Sequence, residues 1–125
     1  MKIKGIIWVG TQTTNFSSMK NFFQNVLGLP LISNDPNIGT FEMPNGDKFE
    51  VFNVQSDSDM FMSHPVAGFL VDDIVSARAE MEQMGVEFLG PIQGETDDYK
   101  WSEFRAPDGF VYELTYYPGH PLNRK

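Results

Sequence analysis

Phe104-Arg105-Ala106-Pro107-Asp108-Gly109-Phe110-Val111-Tyr112-Glu113-Leu114 reads as two extended pieces joined by a tight turn, and its punctuation occurs once more in the chain. Pro107-Asp108-Gly109 holds the residues a β-turn needs. Proline presets φ, aspartate bonds back to nearby backbone, and glycine takes conformations that other residues avoid. The earlier instance is Pro44-Asn45-Gly46-Asp47. Pro44, Gly46, Glu50 and Val51 recur as Pro107, Gly109, Glu113 and Leu114, each displaced by 63 positions.

The repeat extends backward from the turns. In the first half, residues 2–10 read as a strand, and the polar run 11–15 ends it and offers Asn15 as a helix cap. Phe16, Met19, Phe22, Phe23, Val26 and Leu27 then fall at helical spacing, and Gly28 stops the helix. Extended pieces follow over 31–33, 38–43 and 48–54. The second half has the same order: strand 66–71, cap at Asp72 or Asp73, helical spacing at Ile74, Ala77, Met81 and Met84, and a stop at Gly85. Strands over 86–89, 99–105 and 111–117 complete it. The caps are displaced by 58 positions and the stops by 57, so the pattern predicts small insertions in second-half loops. Gln55-Ser56-Asp57-Ser58-Asp59 reads as the join. The expected organisation is one domain over 1–125, with modules at about 2–55 and 64–117.

A chain of 125 residues is one domain by size and long enough to bury a core without cross-links. Seventeen acidic against nine basic residues give a formal net charge of −8, which argues against nucleic acid and against an anionic membrane. No stretch approaches the length of a membrane span. The opening residues are too short for a signal peptide and lack a cleavage site, and with no cysteine a cytoplasmic location is the expectation. Eleven Phe, two Trp and seven Met suit either an irregular core or an apolar ligand pocket.

Three stretches together resemble the superfamily of glyoxalases, bleomycin resistance proteins and extradiol dioxygenases, known as vicinal oxygen chelate proteins. They are Phe22-Phe23-Gln24-Asn25-Val26-Leu27-Gly28-Leu29, Val71-Asp72-Asp73-Ile74 and the terminal hairpin ending on Glu113-Leu114. The match covers about residues 3–117. The resemblance implies an α+β fold: two tandem βαβββ modules forming a cupped, mostly antiparallel eight-stranded sheet, with helices on its convex face and a ligand cavity in its concave face.

Metalloenzymes of this superfamily carry one metal ligand on the first and one on the last strand of each module. By that resemblance Glu50 and Glu113 occupy the last-strand positions, while the first-strand positions hold Trp8 and Val66, which ligate nothing. Two carboxylates alone hold a divalent ion weakly. His64, two residues before Val66, is the candidate to complete a set, although its place before Pro65 suits a loop. His120 reads as a surface tail residue. On the bland reading the glutamates face solvent and Phe49, Val51, Tyr112 and Leu114 form the core face. On the functional reading both glutamates face the cup, where like charges raise at least one pKa unless Lys48 or Arg105 offsets them.

The leading expectation is a metal-independent small-molecule binding protein resembling the bleomycin-resistance branch, as a homodimer, with a ligand site lined by Trp8, Glu50, Phe52, Val66, Trp101 and Glu113. Leu70 and Tyr117 are expected on the same surface. Carboxylates among aromatic rings suit a planar or cationic organic molecule. No cofactor is favoured. The alternative is a glyoxalase-type lyase or isomerase with Zn, Ni, Mn or Mg on Glu50, Glu113 and His64, in which the metal polarises an enediolate oxygen and a carboxylate moves the proton. A second alternative is a regulatory or structural subunit without a ligand.

Overall fold

The computed structural model describes residues 1–33, 35–55 and 64–123. The class is the expected α+β one, with eight strands, mostly paired antiparallel, and two α-helices among the described residues. The chain gathers into two compact units, one of residues 8–66 and one of residues 1–7 with 67–125.

In the first, β1 (Gly5–Thr13) runs parallel to β3 (Lys48–Asn53), and β2 (Ile38–Glu42) pairs antiparallel with β3. The first strand lies further along the chain than the sequence suggests. Thr11, Gln12 and Thr13, expected to end it, pair with Val51, Phe52 and Asn53. The ladder satisfies their backbone groups, and Thr11 and Thr13, though polar, are β-branched and suit a strand. Residues 31–33 form no strand, only a single bridge from Leu31 to Phe41. The join predicted over 55–59 lies outside the described residues beyond Gln55.

The helix expected over 16–27 changes form midway. It is α-helical as α1 (Phe16–Asn21) and widens to a π-helical turn over Phe22–Val26. The Leu27 N–H donates to the Phe22 carbonyl at 3.0 Å, and Gly28, at φ +71°, ends the element as read. Asn15 makes no side-chain cap bond; instead its own N–H donates to Thr13 Oγ1 at 2.9 Å. Neither part of this helix buries a residue fully. It is anchored by Phe23, whose ring lies 4.4 Å from Phe49 and 5.9 Å from Phe41, centre to centre. Phe41 and Val51 are completely buried.

In the second unit, β4 (Val66–Leu70) runs parallel to β8 (Val111–Tyr116), and β7 (Tyr99–Arg105) pairs antiparallel with β8. The expected strand over 86–89 shrinks to β5 (Glu87–Phe88), and a strand missed in the sequence, β6 (Gln93–Thr96), also pairs with β7. In each module, then, the first strand lies parallel to the last, as the repeat requires. α2 (Ile74–Gln83) packs Ile74 and Ala77 onto Val71 and Leu114.

The two candidate caps of α2 divide their work. Asp73 accepts the Ser76 N–H at 3.0 Å, whereas Asp72 pairs with Lys4 at 3.0 Å. Asp73→Ala is expected to cost about 1 kcal/mol, within the usual range for a lost cap, and Asp72→Ala much less because its pair is exposed. Chemical denaturation of the two variants checks the order.

His120 corrects the sequence reading most sharply. It is 1% exposed, not a surface residue. Its ring meets Tyr117 edge-on with 5.7 Å between centres, and Nδ1 accepts the Leu122 N–H at 3.1 Å. Those contacts lead into a closing 3₁₀ turn, Pro121–Asn123. Pro118 and Pro121 made the segment look like a free tail, but local hydrogen bonds hold it.

Candidate functional site

Strand alternation and register divide the side chains of each module into two faces. In the first module Val9, Phe49, Val51 and Phe41 share the face toward Phe23. Trp8, Gly10, Lys48, Glu50, Phe52 and Thr40 share the other.

Glu50 is the centre of that second face. The indole N–H of Trp8 donates to its Oε1 at 2.8 Å, and the Thr40 hydroxyl donates to its Oε2 at 2.6 Å. Trp8 is 6% exposed, and its ring lies 6.3 Å from that of Phe52. Three residues expected in the site, Trp8, Glu50 and Phe52, therefore meet in one module. Lys48 lies on the same face, one pleat along β3, opposite Trp8 in register. Thr40 was not foreseen. A hairpin turning at 44–47 puts residue 40 opposite residue 50, so the turn held the missing signal.

In the second module Glu113 is 4% exposed and its Oε1 accepts the Thr115 hydroxyl at 3.2 Å. Gly68 faces it across the parallel pair, as Gly10 faces Glu50 in the first module. The repeat thus extends to register: each glutamate stands opposite a glycine two residues past the Trp8 or Val66 position. Trp101 and Tyr99 are 6.1 Å apart on the same face of β7, and Tyr117 lies 5.4 Å from Tyr99. Leu70 and Val66 are buried strand residues of β4.

Glu103, also unforeseen, stands directly opposite Glu113 in the β7–β8 register. The turn at 107–109 predicts that pairing by the same logic as Thr40 and Glu50. Burial pushes the Glu103 carboxyl above its ordinary value of 4.5. The cause is desolvation. Because the folded protein favours the neutral acid, the stability it contributes is full below about 4.5 and is lost as pH rises through the elevated folded value. Glu103→Gln is expected to raise the melting temperature at pH 7 and to lose that advantage in acid. Melting curves across that range check it.

Arg105 donates to the Gly109 carbonyl at 2.7 Å and so fastens the hairpin turn. His64 is exposed, in a bend before β4, as its position before Pro65 suggested. Among the described residues, no three His, Asp or Glu side chains gather as a metal-binding group.

The donor set of the first module does not fit a divalent ion. The first-strand position presents an indole N–H, a donor without a lone pair for a metal, and aims it at the glutamate. The other glutamate oxygen is held by Thr40. A cavity of about 360 Å³ lies on the helix side of the second module, between Met1, Ile3, Phe69, Met81, Phe104 and Tyr112, with purely apolar walls. It is on the opposite face of β8 from Glu113.

The chain belongs to the Glyoxalase/Bleomycin resistance protein/Dioxygenase superfamily, whose family model matches residues 5–114. Solved structures agree in fold. Methylmalonyl-CoA epimerase from Mycobacterium tuberculosis is 14% identical over 92% of this chain and 89% of its own, with a TM-score of 0.72. The Mn(II)-bound glyoxalase from Novosphingobium aromaticivorans is 19% identical, with a TM-score of 0.73, over 92% of this chain but 39% of its own. A superfamily member from Vibrio splendidus 12B01 is 13% identical over 86% and 95%, with a TM-score of 0.66. A search of curated proteins gives no significant match. No helix among the described residues is long and apolar enough to cross a membrane.

Proposed function

We propose that this chain is a small-molecule binding protein of the glyoxalase and bleomycin-resistance type, holding an aromatic or cationic organic ligand without a metal, as a homodimer. The observation that carries the reading is the Trp8 N–H on Glu50. In place of a metal ligand the first strand supplies an aromatic wall, and that wall fixes the orientation of a carboxylate beside it. A cation resting against Trp8 and Phe52 gains from the ring faces and from Glu50 together. Thr40 is a positioning residue, because it acts by holding Glu50.

Metal titration separates this reading from a metal-dependent lyase or isomerase. Protein purified without chelator and then offered Zn²⁺, Ni²⁺ or Mn²⁺ is expected to retain far less than one equivalent. Near-stoichiometric retention that is lost in Glu50→Gln would replace the proposal with the glyoxalase-type one.

A further inference from the structure

The two modules repeat one unit, yet their helices treat solvent differently. α2 buries Ile74 and Ala77 and turns mostly charge outward, with Arg78 paired to Glu82 at 3.4 Å and Glu80 bound by the Met1 ammonium at 2.9 Å, its exposed apolar residues being Val75 and, at its end, Met84. The first helix buries nothing fully and turns apolar residues outward. Phe22 is 44% exposed, Val26 65% and Leu27 52%. The π-helical bond from Leu27 to the Phe22 carbonyl puts these residues one above another on one face. An apolar face of this kind, on one helix of a matched pair, marks a contact surface.

The charge distribution decides what covers it. All seventeen acidic residues lie beyond Asn34, and none lies in residues 1–34. The nearby cation, Lys20, lies over the Phe16 ring at 5.2 Å. Two copies that each carry −8 repel over most of their surface. The first helix is where they meet without setting carboxylate against carboxylate. An isologous contact, in which the same patch serves both partners, needs a surface compatible with itself. An uncharged apolar helix face meets that requirement, whereas a basic partner would seek the acidic remainder of the chain.

We propose that the outward face of residues 22–27 is the contact between two copies of this chain, Phe22, Val26 and Leu27 of one protomer packing on the same residues of its partner. This names the interface of the homodimer in the functional reading above and rests on that reading only for the dimer. Light scattering across a concentration series tests it. The wild-type chain is expected to dimerise, and added salt is expected to strengthen the dimer by screening the repulsion. Val26→Glu is expected to weaken it at least about tenfold, the effect of losing a central interface residue. Val75→Glu, at an exposed apolar position on α2, is expected to leave it unchanged. Circular dichroism of both variants confirms folding. A wild-type chain monomeric at every concentration, a dimer weakened by salt, or a dimer indifferent to Val26→Glu would overturn the proposal. Ligand binding is read separately: its loss in a dimeric protein counts against the functional reading alone.

Discussion

Trp8→Ala is expected to destabilise the protein by about 3–5 kcal/mol, the usual cost of truncating a buried tryptophan to alanine. Trp8 is 6% exposed, so little of the indole is in water to begin with. The substitution also removes the donor on Glu50 Oε1 and leaves, among the described residues, the Thr40 hydroxyl on Oε2. Against a total stability of about 5–15 kcal/mol, much of the population would unfold at modest temperature. Trp8→Phe separates the two contributions. It keeps much of the apolar volume while losing the N–H donor, so its stability cost is expected to be smaller while its effect on ligand binding stays large. Denaturation midpoints and binding constants for both variants check this. Equal loss of stability in the two would contradict the packing account.

Gly10→Ala is the second large effect expected, because the hydrogen of Gly10 is what makes room for the indole. A Cβ at that position would overlap the far edge of the Trp8 ring, at Cζ2 and Cη2. The ring is buried and cannot swing away freely, so the strain is expected to cost about 1–3 kcal/mol, as overpacking generally does. Displacing the ring would also break the bond to Glu50. The expected readout is a shifted tryptophan emission together with a lower melting temperature. Close approach, and not backbone conformation, sets this cost. Gly10→Ser should therefore fare no better, whereas Trp8→Ala combined with Gly10→Ala should cost less than the sum of the two.

Much of this was legible in the chain before any coordinates. The turns at 44–47 and 107–109 and the displacement of 63 between them announce two like hairpins, and the structure extends that likeness to the glycine opposite each glutamate. The family resemblance placed Trp8 where a metal ligand would stand, and so pointed to the group that binds Glu50. Other features escaped for identifiable reasons. Thr40 and Glu103 carry no signal in their own segments and matter only through their cross-strand partners. The burial of His120 depends on Tyr117 and the Leu122 amide, contacts made after the chain turns back, while composition suggested a tail. The polar residues 11–13 continue the strand because β3 offers them a ladder, and their polarity, read as a strand end, hid the β-branched character of Thr11 and Thr13. The π-helical turn keeps the apolar spacing of an α-helix and so looks the same in sequence.

On the proposed function, the Trp8–Glu50 face binds an organic molecule without a metal. This is tested most directly by titrating chelator-treated Trp101→Phe protein, in which Trp8 is the remaining tryptophan, with a panel of aromatic and quaternary-ammonium compounds. The account predicts that at least one cationic aromatic compound changes Trp8 fluorescence saturably, that Glu50→Gln weakens this by about tenfold or more, and that adding divalent metal leaves it unchanged. A response that requires added metal, or no response across the panel in folded protein, would contradict it.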